Sequence, residues 1–189
     1  MGTSLRERNR AANRAAIQSV ALDRMARSGF DGVTIEQIAA DAGVSTSTVY
    51  RYFGTKEALV LSGAGTDRLA TAIAAEAVAR PKASAVGLFR RAAADVIGGA
   101  ESGELLTRLR LVFADASLAA AFEHLVLDQR HDVAGVLADH RGAATPGVRD
   151  AATAGALLGL YVSVLDRWQE TGGKKPLVKT LNKSLAALE

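Results

Sequence analysis

Apolar residues recur every three or four positions along most of the chain, which is the period of an amphipathic helix. The first such segment predicts a helix over residues 10–28, with Gly29 as its end. Thr34 opens a second helix through a capping box with Gln37, and Gly43 ends that helix. The other predicted helices cover 45–53, 55–80, 82–98, 103–114, 117–140, 149–171 and 176–188. The pattern therefore predicts an all-α protein of about nine helices.

The composition is that of a folded cytoplasmic protein. Apolar residues make up 49% of the 189 residues, which is too many for intrinsic disorder. The absence of cysteine excludes disulfides, thiolate metal sites and cysteine nucleophiles. The polar N-terminus lacks the apolar core of a signal peptide. The longest uncharged stretch, between Asp150 and Asp166, is shorter than the roughly 20 residues that span a membrane, so no membrane partner is expected.

The positive charge is confined to the first third of the chain. The formal net charge is +3. Residues 1–56 hold eight arginines and lysines against five acids, and the charges of residues 57–189 balance. A basic module on a neutral body indicates a polyanionic partner for that module alone.

Residues 35–54 fit a helix-turn-helix, and the reason is steric. Two short helices that cross at a steep angle need a small residue where their backbones approach, and Ala39 is placed for it. The tight turn needs a residue that tolerates positive φ, which Gly43 supplies. Ile38, Val44 and Val49 provide the apolar wedge between the helices. This combination at this spacing is a fairly specific pattern.

The stretch "AGVSTSTVYRYF", residues 42–53, then reads as the recognition helix. Val49 and Phe53 face inward at i, i+4 spacing. Short hydroxyls near a helix N-terminus can meet base edges in the major groove, whereas tyrosine hydroxyls and arginine suit phosphates or guanine. Thr34 and Lys56 begin the two flanking helices and can hold the DNA backbone on either side. The outward face carries Ser45, Thr46, Ser47, Thr48, Tyr50, Arg51 and Tyr52. Competing helix caps and ordinary aromatic packing are the structural alternative.

The segment "GFDGVTIEQIAADAGVSTSTVYRYFGTKEALV" resembles the DNA-binding domain of the TetR family of bacterial transcriptional regulators. The resemblance covers about residues 10–61; the rest of the chain is similar only in length and helical layout. It implies a three-helix DNA-binding head on a helical body of about six helices. It also implies a homodimer formed mainly by the last two helices, and a small-molecule pocket in the body whose occupation releases DNA.

Family DNA-contact roles map onto residues of this motif. The resemblance assigns them to Thr34, Ser45, Thr46, Ser47, Thr48, Tyr50, Tyr52 and Lys56. Arg51 stands where family members often have Tyr or His, so its role as a base or phosphate contact is open. The boundary between head and body falls inside the fourth predicted helix, which gives a helix-turn-helix DNA-binding domain at 1–56 and a ligand-binding and dimerisation domain at 57–189.

The predicted helix 149–171 is apolar on more than one side, so one face can serve the core and the other a partner. Two apolar stripes run along this helix. The first consists mainly of large side chains, and the second consists of small residues, namely Ala152, Gly155, Gly159 and Val162. Two such helices from each subunit would make a four-helix dimer interface. Candidate interface residues are Ala154, Leu158, Tyr161, Leu165, Trp168, Leu181 and Leu185. The alternative is that both faces are internal core.

Candidates for the effector pocket are aromatic and apolar residues of the body with one polar group. They are Phe89, Phe113, Phe122, Val126 and His124. Aromatic residues at helical spacing are more often plain core. His124, Asp128 and His131 share one helix face, which favours a solvated surface over a metal site. No Ser/His/Asp arrangement, phosphate loop or carboxylate pair stands out, so neither enzymatic activity nor a cofactor is expected.

The sequence thus favours a ligand-responsive regulator that binds a palindromic double-stranded DNA operator as a homodimer, more often as a repressor. Its effector would be a small molecule that the sequence does not identify. One alternative is a nonspecific architectural DNA binder, against which the mild charge argues. The other is a helical ligand carrier or enzyme whose helix-turn-helix is only structural.

Overall fold

The fold is all-α, as predicted. A computed structural model describes residues 4–62, 68–98 and 102–187, and within these ranges the chain forms eleven helices. They are α1 (Leu5–Ser28), α2 (Ile35–Asp41), α3 (Thr46–Phe53), α4 (Lys56–Leu61), α5 (Leu69–Ala79), α6 (Ala85–Gly98), α7 (Ser102–Ala114), α8 (Ala116–Asp128), α9 (Arg130–His140), α10 (Val148–Glu170) and α11 (Leu177–Leu185).

Two predicted helices are each divided in two, which raises the number from about nine to eleven. The predicted helix 55–80 ends at Leu61, because Ser62 leaves the helix with an extended backbone. The predicted helix 117–140 divides at Gln129, whose buried side chain accepts a 3.1 Å hydrogen bond from the backbone N–H of Ala70 at the start of α5. Residues 63–67 of the predicted helix 55–80 and residue 188 of the predicted helix 176–188 lie outside the described residues.

The first four helices pack against one another into a head, whose buried apolar side chains are continuous with those of the rest of the fold. α1 begins at Leu5, five residues earlier than predicted, because Ser4 and Glu7 form a capping box. Side chains from α1, α2 and α3 meet in the head core, among them Ile17, Met25, Ile38, Val49 and Phe53. The head thereby holds α3 against α2 and leaves the opposite face of α3 to solvent.

The body is built around α10, which packs against α6, α7, α8, α9 and α11. α10 is long and apolar enough to cross a membrane by length and composition. Nine of its residues are nevertheless buried within the fold, from Asp150 to Trp168. α10 is therefore the core helix of this body.

The start of α10 is held by a buried carboxylate. Asp150 accepts two hydrogen bonds from Arg141, at 3.0 Å from Nε and 2.7 Å from Nη2, and a third of 2.9 Å from the backbone N–H of Gly147. These bonds, first that from Arg141 and then that from Gly147, lower the pKa of Asp150. The pair closes the turn between α9 and α10.

The structure corrects the choice of face for subunit contact. The candidate interface side chains are all buried inside the chain itself, so they have no free surface to offer a partner. They are Ala154, Leu158, Tyr161, Leu165 and Trp168 of α10 with Leu181 and Leu185 of α11. Of the second stripe, Val162 is buried as well, whereas Ala152 is exposed and Gly155 and Gly159 are partly exposed on the other side of α10. Only that side of α10 is open to another molecule.

The effector candidates are divided between the core and the surface. Phe89 packs edge-to-face on Tyr161 with ring centres 6.1 Å apart, and Phe113 packs on Phe122 at 5.8 Å. Phe89, Phe122 and Val126 are fully buried core residues, and Phe113 is partly buried. His124 instead lies exposed on α8, 3.7 Å from Asp128. Placing His124 in one pocket with the phenylalanines was therefore wrong.

Candidate nucleic-acid interface

The turn between α2 and α3 has the close approach that the sequence predicted. Gly43 adopts a φ of 65°, which side chains disfavour. The backbone N–H of Val44 returns to the carbonyl of Ala39 at 2.9 Å, and Ala39 itself is buried. Val49 is buried beside it, so α3 is fixed in orientation by its apolar side. This geometry confines the hydroxyl-rich side of α3 to the surface.

Three of the four hydroxyls at the start of α3 form one hydrogen-bonded group. The Oγ of Ser45 lies 2.9 Å from Ser47 Oγ and 2.9 Å from Thr48 Oγ1. It also accepts a 3.2 Å hydrogen bond from the backbone N–H of Thr48, which makes Ser45 the N-cap of α3. Ser45 thus positions the helix, while Ser47 and Thr48 keep hydrogen-bonding capacity for an incoming group.

The remaining candidates of α3 divide by exposure. Tyr50 and Arg51 are exposed, and Tyr50 as a whole residue is 50% exposed. Thr46 is partly buried. Tyr52 is also partly buried and packs on the head core, and the guanidinium carbon of Arg51 lies 5.6 Å from its ring centre. The exposed end of this helix therefore presents one cation and two phenols.

Capped helix N-termini flank α3 on both sides. Thr34 accepts from the backbone N–H of Gln37 at 3.3 Å, and Gln37 Oε1 accepts from the backbone N–H of Thr34 at 3.0 Å. Thr55 caps α4 by accepting from Ala58 N–H at 3.2 Å. Lys56, the first residue of α4, lies with its Nζ 4.3 Å from the centre of the Phe30 ring. Positive charge and N-terminal dipoles thus border α3.

Basic residues of α1 join this surface, although no role beyond their net charge was predicted for them. Arg6 and Arg10 line one cleft together with Arg51 and Tyr52 of α3. The remaining lining residues are Ser4, Glu7, Asn9 and Asn13. The signal that could have found them is the spacing, since Arg6, Arg10 and Arg14 repeat at i, i+4 and i+8 on an exposed helix. The positive surface is therefore wider than the helix-turn-helix.

A second groove lies between the head and the body. Its lining comes from α1, from α4 with its N-cap and C-cap, and from α8 with the following residue. The lining residues are Arg14, Thr55, Glu57, Ala58, Leu61, Ser62, Ala121, His124, Leu125 and Gln129. His124, predicted for a pocket inside the body, lies here instead. The groove borders the helix that joins head and body.

Two family profiles match the chain in adjacent parts. The profile described as "Bacterial regulatory proteins, tetR family" matches residues 17–62, which contain α2, α3 and α4. The profile described as "MftR C-terminal domain" matches residues 83–189, which include α6 to α11. Together they cover the helix-turn-helix, its two flanking helix N-termini and most of the body.

A known transcriptional regulator is similar to part of this chain. The HTH-type transcriptional regulator RutR of Escherichia coli (strain K12) is 45% identical over 60 residues, which are 32% of this chain and 28% of RutR. The chain thus spans under a third of the length of the curated relatives it matches.

Solved structures are similar over nearly the whole chain. One is Thermus thermophilus FadR, a TetR-family transcriptional repressor in complex with lauroyl-CoA (TM-score 0.58, 24% identity, 93% of this chain and 92% of that chain). Another is FadR of Bacillus subtilis in complex with stearoyl-CoA (TM-score 0.59, 20% identity, 92% and 96%). At these identities the likeness establishes a common fold.

Proposed function

The chain belongs to the TetR family of bacterial regulatory proteins, and on that premise we propose that it is a ligand-released repressor that binds a palindromic operator as a homodimer. The observation that carries the proposal is the outward side of α3. Its hydroxyls and exposed Arg51 lie between two capped helix N-termini, while its apolar side is locked into the head. A helix held in this way can enter the major groove without reorganising.

Roles follow from position on the interface. Ser47 and Thr48, at the N-terminal end of α3, would meet base edges, where a hydroxyl donates or accepts and the threonine methyl touches thymine. Lys56, Thr34, Tyr50 and Tyr52 would contact phosphates on either side of the groove. Arg6 and Arg10 of α1 extend the positive surface and would strengthen binding to any sequence.

A homodimer would place two recognition helices on one face of the DNA. Half-sites in such complexes lie about 34–36 Å apart or at multiples of that distance. The exposed side of α10, with Ala152, Gly155 and Gly159, supports subunit contact there, since small residues let two helices approach closely. Subunit contact through this side would leave the buried stripe of α10 in its own core.

The effector would be a small molecule that acts on the body in the cytoplasm. The two FadR structures hold acyl-CoA molecules and share this fold, which supports a ligand-responsive body. A ligand that favours a head orientation unable to bind the operator would shift the population away from DNA.

Selection of bound genomic fragments tests this proposal. Purified protein is mixed with sheared DNA of the source genome at physiological salt, and the bound fraction is sequenced. Enrichment of a near-palindromic site is the expected result. Salt-sensitive binding without sequence preference would favour an architectural DNA binder, and no binding after unfolding and refolding to remove any bound ligand would leave the head with a structural role only.

A further inference from the structure

One arginine of the body is buried against the head. Arg108, on α7, is 2% exposed, and the other buried charged residue among those described is Asp150. Burial lowers the pKa of Arg108, although Glu104 opposes the shift through a hydrogen bond and its charge. A guanidinium that has lost its water must find other acceptors or destabilise the fold.

Arg108 finds its acceptors at the end of α4. Its Nη1 donates to the backbone carbonyls of Val60 and Ser62, the latter at 2.7 Å, and its Nη2 donates to the Glu104 carboxylate. The last carbonyls of a helix have no partner within that helix. A cation at this terminus also complements the helix dipole. Arg108 therefore acts as a C-terminal cap supplied by another helix.

A polar side chain of α1 binds the same end of α4. Gln18, on α1, donates from Nε2 to the carbonyl of Leu59 at 2.8 Å and to that of Ser62 at 2.7 Å. Ser62 thus accepts from both the head and the body. The end of α4 is the place where polar side chains of α1 and α7 meet.

α4 carries this contact to the DNA interface. It has only six residues, a length of about 9 Å at 1.5 Å per residue, so its two ends lie close together. Its N-terminus carries Thr55 and Lys56, and Gly54 and Thr55 alone separate it from α3. A rotation at its C-terminal end therefore displaces Lys56 and the base of α3.

We propose that Arg108 is a positioning residue: by holding the last carbonyls of α4, it fixes the DNA-binding head on the body in the orientation that binds the operator. The inference rests on the proposed function. It identifies the hydrogen bonds through which a change in the body would reach the recognition helix. A purely structural role would instead predict that loss of Arg108 affects folding stability alone.

The test uses the full chain with Arg108→Met and a matched control, Arg110→Met, which changes an exposed arginine of the same helix. Affinity is measured for the fragment enriched by selection and for a scrambled fragment of equal length. Arg108→Met should weaken operator binding by ~10-fold or more and scrambled binding by less than about 2-fold, since only the operator requires a fixed head orientation. Arg110→Met should leave the ratio of the two affinities, for the operator and for the scrambled fragment, unchanged.

Hydrogen exchange provides a second readout that does not need DNA. In Arg108→Met the amides of α4 should exchange about 10-fold faster or more, while those of the central part of α10 keep their protection. An equal loss of protection in α4 and α10, an equal loss of affinity for both fragments, or a gain in operator affinity would each overturn the proposal.

A second variant, on the head side, keeps the proposal testable if Arg108→Met does not fold. Gln18→Met removes the other donor to the Ser62 carbonyl while the Arg108 hydrogen bonds stay in place, and it should shift both readouts in the same direction by a smaller factor. If the wild-type chain selects no DNA sequence, the proposed function fails, whereas the exchange measurement still decides whether Arg108 holds α4.

Discussion

α3 and α10 are both held by apolar side chains, but they differ in what remains on their other sides. α3 buries Val49 and Phe53, and the rest of its surface is polar or aromatic. α10 buries a wide apolar side, and its opposite side consists largely of small residues. When a helix has one apolar side, the sequence alone shows which of its side chains stay exposed. When a helix is apolar on all sides, the sequence does not show which side is buried in the core.

The largest effect should come from the buried stripe of α10. Leu158→Ala removes a fully buried side chain and should lower the free energy of unfolding by about 2–5 kcal/mol. Urea denaturation followed by circular dichroism measures it. If Leu158 were instead a subunit contact, the variant would keep its monomer stability and lose only association.

The opposite side of α10 should respond in the reverse way. Ala152→Arg places a long cation on the exposed stripe and should dissociate the proposed homodimer, with a stability change within about 0.5 kcal/mol in the folded subunit. Analytical ultracentrifugation measures the mass. Ala120→Arg, an equivalent change on an exposed position of α8, is the control and should leave the mass unchanged.

On α3, Thr48→Ala should change base preference more than it changes total affinity. Loss of a hydroxyl and a methyl at a base edge alters discrimination by roughly 1–3 kcal/mol at one position of each half-site. Binding to a set of single-base operator variants gives the profile. Thr180→Ala, the same substitution on α11, should reproduce the wild-type profile. A uniform loss from Thr48→Ala, with preference intact, would remove the reading role of Thr48.

Lys56→Ala should weaken binding to all sequences alike. The plot of log affinity against log salt should become shallower by about one for each phosphate that the protein no longer neutralises. Lys179→Ala, which changes an exposed lysine on α11, should leave this slope as it is in the wild type. A change of base preference in Lys56→Ala would mean that this lysine reads the groove as well as the backbone.

The smallest effect concerns acid stability. The pKa of Asp150 is lowered in the folded chain, so its contribution to stability is present above its ordinary value of about 4 and is lost as the pH falls below it. Asp150→Asn should be less stable at neutral pH, and the gap to the wild type should narrow below about pH 4. Thermal melts at several pH values test this. A constant gap would assign the loss to packing alone.

The head could be predicted because each of its elements is fixed by local chemistry. The capping box of Thr34, the positive φ of Gly43 and the inward pair Val49 and Phe53 all follow from residues within one or two turns. What the sequence could not show was that Ser45 serves as the cap of α3, because four adjacent hydroxyls offer several equivalent candidates.

The body was harder because its arrangement depends on contacts distant in the sequence. The break at Gln129 exists where that side chain reaches Ala70, 59 residues away. The break after Leu61 did have a local signal, since Gly63 and Gly65 follow in the sequence, but the apolar period outweighed it. Arg108 gave no signal at all, because an arginine beside a glutamate at i, i+4 spacing usually reads as an exposed helix pair.

A structure of the protein bound to the enriched fragment would show whether the outward side of α3 reads the operator. We expect α3 in the major groove, with Ser47 and Thr48 at base edges and Lys56 on a phosphate. A complex in which α3 faces away from the DNA, or lies on the backbone with no side chain at a base edge, would contradict it.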